Sequence, residues 1–158
     1  MKKTFDNLEK VVEWIMIALV ITFTILAGVQ VVSRYVFNNS ITWSEQAARY
    51  MFVWLVMLGL PILYRHGEHV GFTMVAEALP EKAQLALKVL IHVLVIVFAV
   101  LWLKLGIDYC AQLNGKKMVG LGLPQVYVYA SQVASAVLLI LFAAEQTVVD
   151  AKRFFTKN

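Results

Sequence analysis

Apolar residues along this chain come in four long, nearly unbroken runs, with the polar residues collected between them. The runs cover about residues 14–34, 42–64, 83–109 and 124–148. Each is close to the ~20 residues a helix needs to cross a ~30 Å hydrocarbon core. Backbone amides in lipid have no water to bond, so a spanning segment must be a helix or part of a closed barrel. Barrel strands alternate apolar and polar positions, and these runs do not. The pattern predicts an all-α integral membrane protein of four transmembrane helices. The links, residues 35–41, 65–82 and 110–123, are short, and no repeat or low-complexity tract is visible, so residues 1–158 read as a single membrane domain.

The polar segments refine this picture. Residues 1–13, MKKTFDNLEKVVE, are polar and mixed in charge, and the first apolar run follows from Trp14. A secretory signal has an apolar core of roughly 7–15 residues and a small-residue cleavage site. This run is longer, Asp6, Glu9 and Glu13 precede it, and no clean cleavage site follows, so it reads as a retained first helix. Between the second and third runs, Phe72, Val75, Ala76 and Leu79 fall at i, i+3, i+4 and i+7, the spacing of a one-sided apolar stripe. A short amphipathic helix lying in the headgroup region fits that spacing. Pro80 either ends it or opens the third span.

Composition supports the membrane reading: 61% of residues are hydrophobic and 15% charged, against roughly 25% charged in a soluble domain. The net charge of +4 does not point to nucleic acid, because no long basic cluster exists in which counterion release could act. It fits the bias of Lys and Arg toward cytoplasmic loops. Nine basic residues (Lys2, Lys3, Lys10, Arg65, Lys82, Lys88, Lys152, Arg153 and Lys157) fall on one side, and five (Arg34, Arg49, Lys104, Lys116 and Lys117) on the other. Both termini are therefore expected in the cytoplasm. Cys110 is the only cysteine, which excludes an internal disulfide and a thiol relay built on cysteine pairs.

Few residues offer chemistry. Glu45 and Arg49 are four apart with the acid first, the better order for a helical ion pair. The pair can lock a helix end or dock a subunit; it can also belong to a substrate or proton pathway, since charges at a span edge are often functional. Trp43, Tyr50 and Trp54 share another face of the same helix. Trp43 reads as an interfacial anchor, and Trp54 as packing against lipid or a neighbouring helix. His66, His69 and His92 raise the question of haem. His66 and His69 fall in or beside a loop, and no second histidine shares the depth of His92, which is expected to be hydrogen-bonded within the bundle or at a subunit contact. Ala130 with Ala134, and Ser131 with Ser135, are small pairs one turn apart; they let helices approach closely, either inside the bundle or against a partner. Gly120 and Gly122 before Pro124 mark a turn into the last helix. No phosphate-cradling loop, metal cluster or nucleophile–base arrangement appears, so an enzyme is not expected.

The stretch Arg34 to Trp54, RYVFNNSITWSEQAARYMFVW, carries a resemblance. Arg34-Tyr35 close the first helix, Trp43 and Glu45 open the second, and Arg49 and Trp54 follow. Gly59, the Arg65 to His69 segment and Leu121-Gly122-Leu123-Pro124 continue the order. In these features the whole chain resembles the small permease (Q) subunit of tripartite ATP-independent periplasmic (TRAP) transporters. It departs from that family in having one acid at Glu45-Gln46 where two are common. It also has Gly71-Phe72 where an acid commonly follows the His69 position, and Pro61 within the second span. The resemblance implies a bacterial inner-membrane protein that scaffolds the large (M) permease subunit. A periplasmic binding protein would deliver an organic acid, with sialic acid ahead of four-carbon dicarboxylates, and a sodium gradient would drive uptake. Arg34, Trp43, Glu45, Arg49, Trp54, His69 and Pro124 are then expected as subunit-contact or helix-positioning residues. No cofactor is expected on this chain; sodium belongs in the large subunit, and phospholipid can fill the seam between them. Two rival readings are a self-sufficient homo-oligomeric small transporter, for which His92 is the only ionisable residue deep enough, and a haem-bearing membrane anchor.

Overall fold

A computed structural model describes residues 2–38, 42–66, 81–113, 115–118 and 120–156. His69 and the expected interfacial helix lie outside the described residues. Four helices follow in order: α1 (Lys2–Val36), α2 (Thr42–His66), α3 (Glu81–Gln112) and α4 (Val126–Thr156). Each contains a stretch long and apolar enough to cross a membrane. The described residues form no strand, only an isolated antiparallel bridge between Lys117 and Pro124.

Helix α1 begins well before its apolar run. Its 35 residues span roughly 52 Å at ~1.5 Å each, more than the hydrocarbon core, so its first turns project beyond it. The reason lies in residues 1–13, which are polar on average but not on every face. Phe5, Leu8 and Val12 fall at i, i+3 and i+7; Val12 is buried, and Phe5 and Leu8 pack on the core. The Phe5 ring lies 6.4 Å from that of Phe142 in α4.

Helix α1 packs on α2, α2 on α4, and α4 on α3. The apolar stretch of α4 is the most buried of the four and that of α1 the least. Leu58, Ile62, Tyr64, Ala99, Leu139, Phe142 and Ala143 complete the core around Val12. Ser131 and Ser135 are buried, so the serine pair serves packing inside the bundle. Close approach of α3 and α4 is also visible at Gly106, where an added Cβ would lie 3.3 Å from Val133. Pro61 is fully buried inside α2, which continues through it although the Met57 carbonyl loses its usual helical donor. Trp14, Ile17, Ile21 and Ile25 remain exposed on α1, and Leu90, Leu94, Phe98 and Leu101 on α3. Such faces suit lipid or a partner helix and not water.

The α3–α4 link is a tight hairpin. Met118 N–H donates to Leu123 O at 2.7 Å and Gln125 N–H to Lys116 O at 2.9 Å. Gly120 and Gly122 take φ of +86° and +67°, a region costly for other residues. Helix α4 starts at Val126, two residues past the expected Pro124, which instead pairs with Lys117 in the turn.

Candidate functional site

The polar contacts concentrate at the end of the bundle that carries both termini. The last turn of α2 holds Tyr64, Arg65 and His66 in succession, and these three residues reach all three other helices. Arg65, the permanent cation of that turn, also offsets the negative end of the helix dipole.

Arg65 is the hub, with only 9% of its side chain exposed. Its Nη2 donates to Asp6 Oδ1 at 2.6 Å, and its Nη1 donates to Glu9 Oε2 and, at 3.3 Å, to the Phe5 carbonyl. Asp6 and Glu9 are three apart on α1, so one face presents both. From α4, Glu145 takes Nε at 2.9 Å and Nη2 at 3.2 Å, the two-toothed geometry that suits guanidinium and carboxylate. Gln146 Nε2 donates to the Arg65 carbonyl at 2.9 Å, satisfying a carbonyl at the helix end. The Phe142 ring lies 5.3 Å from the guanidinium carbon. Every side of Arg65 thus carries a partner, which is the condition for holding a charge out of water.

Tyr64 and His92 share a hydrogen bond between hydroxyl and Nδ1, with rings edge to face at 5.7 Å and 81°. The expectation that His92 is hydrogen-bonded within the bundle holds, and Tyr64 is its partner. His66 Nε2 stands 2.6 Å from Glu9 Oε1, at ion-pair distance. Glu9, Glu13 and His66 bring possible metal-ligand atoms within 4.8 Å of one another.

The opposite end is looser. Trp54 Nε1 donates to the Tyr127 carbonyl at 3.0 Å, tying mid-α2 to the first turn of α4. The Tyr109 and Tyr129 rings meet at 4.8 Å and 71° between α3 and α4. Glu45 and Arg49 pair at 3.4 Å with side chains 48% and 62% exposed. Arg34 is exposed, with its guanidinium carbon 6.0 Å from the neighbouring Tyr35 ring. Trp43 and Pro124 are exposed as well. Of the expected positioning residues, Trp54 and the Pro124 turn meet at the start of α4. Arg34, Trp43 and the Glu45–Arg49 pair stay on the outer surface.

Sequence reasoning missed the Arg65 hub. In the sequence Asp6 and Glu9 read as acids that argue against a signal peptide, and Arg65 as a loop charge. One signal was available: Glu145 sits inside the last apolar run, where a carboxylate needs a cation.

Residues 23–153 match the family described as tripartite ATP-independent periplasmic transporters, DctQ component. The chain is 29% identical over 140 residues to a Haemophilus influenzae protein named as a TRAP transporter small permease protein, covering 88% of this chain and 86% of that one. It is 25% identical over 147 residues to the sialic acid TRAP transporter small permease protein SiaQ of Vibrio cholerae, covering 92% and 83%. The sialic acid TRAP transporter permease protein SiaT of Haemophilus influenzae is 28% identical over 142 residues, which are 89% of this chain but 23% of that longer one.

Proposed function

This chain belongs to the DctQ component family of tripartite ATP-independent periplasmic transporters, and we propose that it is the fixed, non-catalytic scaffold of the large permease subunit in such a system. It is a multi-pass inner-membrane component of a transporter and not an enzyme. The observation that carries the scaffold reading is the match to SiaT, where a segment like this chain makes up 23% of a longer permease. A small unit found both separate and within a larger permease fits one that works beside the remainder.

The bundle's own chemistry agrees. A transport site near the midplane is usually built from interrupted helices and free ionisable groups. Here the four helices run unbroken, and the deep His92 already has Tyr64. The strongest polar cluster locks helices at one end, which suits a static part. The exposed apolar faces of α1 and α3 offer area for the large subunit, with phospholipid in the remaining seam. The excess of basic residues at the termini end favours a cytoplasmic position for it. Trp43, Glu45 and Arg49 then face the periplasmic side, where a binding protein would deliver the substrate. Sialic acid leads as that substrate, because SiaQ and SiaT carry it in their names; a four-carbon dicarboxylate is the second candidate. Sodium coupling would reside in the large subunit.

Affinity purification of the tagged chain from native membranes in mild detergent, followed by mass spectrometry, tests this reading. A large polytopic permease in equal amount is expected. A chain that elutes alone or as a homo-oligomer contradicts it.

A further inference from the structure

Four carboxylates, Asp6, Glu9, Glu13 and Glu145, gather around Arg65 and His66 at the termini end. Four carboxylates thus share one guanidinium and one imidazole. Glu9 sits between the two, in contact with both. Arg65 engages its Oε2, while its Oε1 is buried and accepts no hydrogen bond. His66 Nε2 stands 2.6 Å from that oxygen but is not aligned to donate to it. Glu13 lies one turn along α1, and its carboxylate completes a group of three ligand atoms within 4.8 Å of one another.

We propose that Glu9, Glu13 and His66 form a binding site for a divalent transition metal, with zinc the best match. One imidazole nitrogen with two carboxylates suits zinc, whereas magnesium and calcium favour all-oxygen sets. Around zinc, such ligands stand at ~2.0–2.2 Å from the metal, and a water can complete the tetrahedron. Closing the observed spread to that geometry needs only small movements, and His66, half exposed, is free to make one. Arg65 holds Glu9 by the other oxygen and so orients the ligand, as outer partners of metal sites commonly do. The ion would offset part of the carboxylate charge and would join the start of α1 to the end of α2. This inference stands on the cluster alone and not on the transporter reading.

Calorimetric titration of the purified full-length chain with zinc chloride, in detergent and a non-chelating buffer, tests it. One zinc per chain is expected, with magnesium binding far weaker. Zinc at a hundredfold excess over the dissociation constant should raise the thermal midpoint by roughly 5–10 °C. Glu13→Gln and His66→Ala should each weaken binding by about tenfold or more, with helix content by circular dichroism unchanged. The absence of saturable zinc binding, equal binding of magnesium, or undiminished zinc affinity in both Glu13→Gln and His66→Ala overturns the proposal.

Discussion

The two ends of this bundle each contain an arginine beside a glutamate, yet the pairs do different things. Arg49 and Glu45 lie on one helix, half exposed, at 3.4 Å. Arg65 is nearly buried and takes carboxylates from two other helices. An exposed pair within one helix is worth roughly 0–1 kcal/mol and restrains nothing beyond that helix. A buried network costs several kcal/mol to break, because removing one partner leaves charges without compensation. One end is therefore locked, and the other is left able to adapt to what docks on it. That asymmetry would suit a scaffold subunit, with the clamp fixing the helices and the far end open to docking.

Five changes probe the contrast, in falling order of effect. Arg65→Met should destabilise the chain most, by about 3–5 kcal/mol, read as a lower thermal midpoint in detergent and increased protease access to the start of α1. If its effect matched that of Arg49→Met, the distinction between the ends would collapse. Tyr64→Phe removes a largely buried hydrogen bond and should cost about 1–1.5 kcal/mol, loosening α3 in crosslinking between α2 and α3. Trp54→Phe keeps most of the ring but loses the bond to Tyr127, so a cost of about 0.5–1 kcal/mol is expected, with faster hydrogen exchange in the first turn of α4. Glu45→Ala and Arg49→Ala should shift the midpoint by no more than about 0.5 kcal/mol equivalent. Any loss of co-purified permease in these two variants would then report docking and not folding.

The same contrast explains what could be read in the sequence. Four helices were legible because a bilayer imposes length and apolarity on each span, and the observed helices contain the first three runs and all but the first two residues of the fourth. The Glu45–Arg49 pair was legible because a separation of four residues fixes neighbours on one helix. The Arg65 hub was not, since residues 6, 9, 65 and 145 are brought together only by the packing order of α1, α2 and α4. The helical nature of the first turns was hidden by their mean polarity, although the Phe5, Leu8 and Val12 spacing held the signal. Trp54 was assigned to a helix face, but periodicity does not say which neighbour that face meets. The start of α4 was displaced because Pro124 serves the hairpin and not the helix.

As a scaffold, this chain would support transport without performing it. Transport into proteoliposomes under an inward sodium gradient, with the periplasmic binding protein and labelled sialic acid, measures this directly. Uptake is expected when the large permease and this chain are reconstituted together, with none from this chain alone. Uptake by proteoliposomes holding only this chain would contradict the account.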